Sequence, residues 1–192
     1  MKVLTKKRRL GHFAIGAILF LGIFTVGTLT PLNDEESKML LEAMAAEIGP
    51  LLENMDPMFI AVHNISIALA MFIPGFGFIW GSFAGYQTGL LISAMASQME
   101  GFEGWMGLAL FITPVGILEL SAYALAMSRS WLFARVLLKK AYRTKENIKG
   151  MIKPILIESA IVVTLLVIGG FVETWMIAEF GSDSLTILEG FQ

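Results

Sequence analysis

The 192-residue chain contains no cysteine. That excludes disulfides, thiolate metal sites and cysteine nucleophiles. Histidine is almost as scarce. His12 and His63 are the only two, and they sit on different apolar segments, so no metal site is expected. Charge is thin as well, at 16% of residues, against roughly 25% in an ordinary soluble domain. No GxxxxGK[ST], HExxH or GxSxG pattern occurs, so those routes to nucleotide, zinc or serine chemistry are not signalled. What is abundant is apolar. Apolar residues make up 56% with glycine left out of the count, where soluble domains hold about 45–50% with it included. The mean hydropathy is positive. These numbers predict one membrane domain.

The apolar residues gather in five runs. Leu10 to Leu29 carries no formal charge over twenty residues, about 30 Å of helix and one hydrocarbon thickness. A basic stretch, Lys2 to Arg9, precedes it, as in a signal peptide. The run is long for a signal core and "TVGTLTP" has no clear small-x-small site, so it reads as a retained first span. Met58 to Ile73 and Phe76 to Ser97 follow as a pair, broken by Pro74 and Gly75. Trp105 to Met127 is a fourth span, bent near Pro114, and Pro154 to Ala178 a fifth. Between the first two spans the chain turns acidic. Leu40, Met44, Ile48, Leu51 and Met55 recur there at helical steps, which predicts an amphipathic helix.

Charge sorting tests the count. With the N-terminus inside and five spans, 13 of the 14 Lys and Arg fall in inside segments and 12 of the 16 Asp and Glu outside, the pattern of the positive-inside rule. The expected fold is therefore all-α, a polytopic membrane helix bundle with five transmembrane helices, N-in and C-out, and an amphipathic extracytoplasmic helix between spans 1 and 2. Residues 1–9 form a basic cytoplasmic N-terminus. Residues 10–178 form a single membrane domain, with spans at about 10–29, 58–73, 76–97, 105–127 and 154–178. Residues 179–192 form an acidic extracytoplasmic tail.

Two features of this domain invite a role. Gly77, Gly81, Gly85 and Gly89 recur every four residues, and Ser93 and Ser97 continue the interval. Residues four apart share a helix face, and small-residue stripes let helix backbones meet closely in lipid. The stripe serves a crossing within the chain, a self-association or partner face, or a pore lining. Polar residues at membrane depth are the second feature. Glu119 lies nearest the middle of its span and is the costliest. Asn64 and Gln87 lie near the middle of theirs, so Glu119, Gln87 and Asn64 are expected to share a cluster. Glu173 lies closer to a span end, and Glu158 within reach of the interface. A hydrogen-bonded Glu119 holding helices in register is the structural reading. A proton or ion relay is the functional one.

Three stretches carry a family likeness: "HNISIALAMFIPGFGFIWGSFAGYQTGLLISAMA", "FITPVGILELSAYALA" and "GGFVETWM". With them the sequence resembles the stage II sporulation protein M family of integral membrane proteins, over about residues 58–178. Asn64, Pro114, Gly116, Glu119 and Glu173 match its motifs. Val115 stands where the family has histidine and His63 where it often has asparagine, so no role of that histidine carries over. The resemblance implies a multi-pass protein without known catalysis. In endospore formers, members act in a membrane complex that recruits wall-remodelling proteins. On this basis the expected role is a non-catalytic scaffold or accessory subunit in the cell (inner) membrane, with no cofactor. Its partners would be membrane lipid and other membrane proteins or a second copy, not nucleic acid. Its expected surfaces are the acidic helix 35–55, the glycine stripe and a basic loop 129–153. The alternative is a small permease or transporter component using Glu119.

Overall fold

The computed structural model describes residues 6–53, 56–98, 103–141 and 149–180. Among these residues there are seven helices and no strand: α1 (Lys6–Thr28), α2 (Asp34–Glu53), α3 (Pro57–Ala70), α4 (Phe76–Gln98), a 3-10 helix (Gly104–Ile112), α5 (Pro114–Ala141) and α6 (Lys149–Phe180). Lys2 and the tail from residue 181 onward lie outside the described residues.

Local chemistry sets the boundaries. A reciprocal capping box starts α2: the Glu36 N–H donates to Asn33 Oδ1 (2.9 Å) and the Asn33 N–H to Glu36 Oε2 (3.0 Å). Asp56 caps α3 through the Met58 N–H (2.8 Å), with Pro57 in the first turn where its missing donor costs nothing. The turn from α3 into α4 passes through Gly75 at φ +76°, a conformation natural to glycine alone. As a result α3 ends at Ala70, three residues before the expected Ile73.

The fourth apolar run departs from expectation more sharply. It is not one gently bent span. Gly104–Ile112 forms the 3-10 helix, and α5 leaves it at 87°. Thr113 is the pivot. Its Oγ1 accepts the Gly116 N–H (3.0 Å), Pro114 takes the first helical position, and a Cβ on Gly116 would press on the Leu110 and Phe111 backbone. α5 then continues to Ala141. Arg129 and Arg135, expected in a loop, are therefore helical. Residues 142–148 of that basic segment lie outside the described residues.

Among the described residues, two helices are long and apolar enough to cross a membrane, at Arg9–Thr28 and Ile152–Glu179. The bent pair makes a third if it is taken as one span. Large apolar side chains such as Ile18, Ile112, Leu156 and Phe171 stand exposed along these elements, a surface suited to acyl chains rather than water. The core is built from close contacts. Phe20, Met71, Phe72, Tyr123, Met127, Val162 and Leu166 fill it, and Ala68, Ala122 and Ala126 let the helices approach. α2 packs on α4 through Ser37 and Leu41, one position round from the expected Leu40 face. The expected Ile48, Leu51 and Met55 contacts lie outside the described side chains.

The small residues of α4 meet different neighbours along the helix. Gly89 lies against Gly27 of α1: a Cβ on either would stand 2.9 Å from the other's Cα. Gly85 faces the Phe20 ring, Gly81 the Met127 side chain, and Gly77 the backbone at Met71. Ser93 Oγ donates to Thr30 O (2.7 Å), and Ser97 Oγ to Ser37 Oγ of α2 (2.9 Å).

Candidate functional site

α3 carries Ile60, His63, Asn64 and Ile67 at steps of three and four, and so on one face. All four line a cavity of about 290 Å³. α5 adds Gly116, Glu119 and Tyr123 at the same helical spacing, and α6 adds Glu173. Phe20 and Phe24 of α1 and Ala84 and Thr88 of α4 form further walls. Leu110 and Phe111 of the 3-10 helix close the side nearest the break.

The polar contacts inside this cavity are few. Asn64 Nδ2 donates to Glu119 Oε1 at 2.7 Å. Among the described residues, the buried Glu173 Oε2 finds no hydrogen-bond partner. An orphaned buried carboxylate oxygen is costly to hold, and each one in a folded protein calls for an explanation. Depth brings the three residues together. Asn64 lies seven residues inside the start of α3 and Glu173 seven before the end of α6, each about 10 Å along its helix. Glu119 lies on the second turn of α5, just beyond the 87° break. The break starts a fresh helix there, so Glu119 is near a helix N-terminus.

Gln87 does not join the cluster. It is exposed, because two residues past Gly85 is about 200° around the helix from the buried stripe. Thr88 takes the place α4 has on the cavity wall. Tyr123 was not singled out from the sequence, although its spacing of four from Glu119 is a readable signal. Among the described residues, no three His, Asp or Glu side chains converge closely enough to hold a metal ion.

A second polar pair lies elsewhere. Arg129 Nε and Nη2 donate to both carboxylate oxygens of Glu158, a two-pronged fork between α5 and α6. The Arg129 side chain is 3% exposed and Glu158 12%. Glu158 was expected to reach the interface. The structure adds a partner for it, a cation 29 positions earlier in the chain.

Residues 12–176 match the family model described as Stage II sporulation protein M. No curated protein matches, and no solved structure does.

Proposed function

The chain belongs to the stage II sporulation protein M family, and from that premise we propose that it is a small permease or transporter component. In this reading the Asn64–Glu119–Glu173 cavity handles a proton or small cation within a membrane. The role is non-catalytic. One observation carries it: a single cavity receives polar side chains from α3, α5 and α6 and leaves a buried carboxylate oxygen of Glu173 without a partner. Ionisable residues at membrane depth mark ion or proton paths by default.

The proposal includes five spans, N-in and C-out, in the cell membrane. Charge sorting supports it, and so does the packing. Gly75, between α3 and α4, faces Ala134 near the end of α5, on the side where Arg135 lies. Gly170 meets Pro57 and Ala61 at the opposite end. Consecutive helices α3 to α6 therefore run in alternating directions, as a chain that crosses each time would, while α1 and α4, two crossings apart, pack in parallel.

The experiment is flux in liposomes holding the purified protein. Proton and alkali-cation flux is expected in the wild type and is expected to vanish in Glu119→Gln and Glu173→Gln. Absence of flux in the wild type, with stable capture of another membrane protein, favours the second reading, a scaffold or accessory subunit. A specific feature supports that reading too. Asp34, Glu35, Glu36 and Glu42 stand exposed on α2, which α4 holds in place, and so offer an acidic docking face.

A further inference from the structure

Away from the polar cavity, a groove of about 370 Å³ runs between α1 and α5, with Phe78 of α4 on its floor. Its chemistry changes along its length. α1 and α5 run antiparallel here, since Gly16 packs on Ala124 and Phe20 on Tyr123. His12 and Arg135 therefore share one end, and Leu19 and Met127 lie towards the other. Arg9 adds to the basic end, one turn before His12 on the same face of α1. Trp131 forms a wall there, 48% exposed and 6.0 Å from the Phe78 ring. Tryptophan beside basic residues is the composition of a membrane–water boundary.

We propose that this groove binds an anionic phospholipid, with the phosphate at the Arg135 end and an acyl chain along Leu19, Phe78 and Met127. The pairing of one cationic end with an apolar floor selects that occupant. Free phosphate has no use for the floor. A zwitterionic lipid fits the floor but gains less from the basic end. A protein segment would have to enter between two elements of which one, α1, is itself long and apolar enough to cross a membrane. The inference does not depend on transport through the other cavity.

The test uses the full chain in phosphatidylcholine nanodiscs, with and without phosphatidylglycerol, read by native mass spectrometry of retained lipid and by thermal unfolding. Phosphatidylglycerol is expected to be retained and to raise the unfolding temperature. Arg135→Gln, at an exposed position, is expected to fold and to bind phosphatidylglycerol about fivefold more weakly, which corresponds to about 1 kcal/mol for one basic residue near a lipid surface. Leu19→Trp, which fills the floor, is expected to lower retention as well. Equal retention of phosphatidylcholine, unchanged binding in Arg135→Gln, or equal protection by inorganic phosphate alone would each overturn the proposal.

Discussion

At the scale of single residues, the two carboxylates of the polar cavity are held differently, and the difference is measurable. Glu119 has an amide donor in Asn64, at 2.7 Å. Asn64→Leu removes that donor and is expected to cost about 1–3 kcal/mol, the penalty for stranding a buried polar group. Glu173 Oε2 already lacks a partner. Glu173→Met is therefore expected to unfold at the wild-type temperature or higher, while losing flux. Thermal unfolding of both variants in one detergent decides the matter. A large loss of stability in Glu173→Met would make that residue a strut rather than part of a path. Arg129 offers the opposite case. Its fork with Glu158 is almost fully buried, so Arg129→Met is expected to cost about 3–5 kcal/mol by leaving a carboxylate uncompensated, and Arg129→Met with Glu158→Leu to recover most of it. Equal damage in the single and double variants would show that packing of the arginine stem, not its charge, matters there.

At the scale of elements, glycine separates into two kinds. A Cβ on Gly89 would meet backbone at Gly27, which cannot swing aside. Gly89→Ala is therefore expected to destabilise by about 1–3 kcal/mol, as overpacking does. A Cβ on Gly22 would find nothing within 4 Å, so Gly22→Ala is expected to be neutral or to gain up to about 1 kcal/mol from helix propensity. Unfolding temperatures in the reverse order would remove the contact argument. This contrast also shows what was legible in advance. The four-residue interval in α4 is local information and could be read from the chain, as could the Pro74–Gly75 turn and the helical face of α2. Which neighbour each glycine meets is long-range information and could not. Gln87 stands apart from the cluster because its angle from Gly85, not its polarity, decides which face it takes. Arg129 was read as a loop residue because its charge was visible and Glu158, 29 positions on, was not yet its partner. The sharp break before α5 was underestimated for a different reason. Proline alone predicts a bend, and the 87° turn needs the Thr113 cap and the bare Gly116 together. Asn64, Glu119 and Glu173, by contrast, were each visible as polar residues in apolar runs. The pairing of Asn64 with Glu119 follows from their expected depth and is present at 2.7 Å; what the sequence does not show is that Glu173 joins them.

For the whole molecule, the question is how many times the chain crosses. Length and composition alone qualify α1 and α6, with the bent pair as a third. α4 falls short because its stripe of glycine, serine and threonine, together with Gln87, dilutes its hydropathy, yet that stripe is what lets α1 and α4 touch. A helix pressed along its length against a spanning partner is carried to the same depth. α4 runs from the Gly75 end, where Ala134 lies, to the Ser97 end, where Ser37 lies, and so covers the same axial distance as α1. In the five-span reading, the share of that low hydropathy owed to the glycine stripe reflects burial among helices rather than a position outside the bilayer. The absence of cysteine makes this testable without background. Single cysteines at Asp34 and Glu103 are expected to react with a membrane-impermeant maleimide added outside intact cells. One at Lys153 is expected to react only after the membrane is opened. Asp34 and Glu103 labelling from opposite sides would mean that α3 and α4 together do not form a crossing pair, and the shared depth of Asn64 and Glu119 would then have to arise outside the hydrocarbon, where neither a proton path nor its cost would follow.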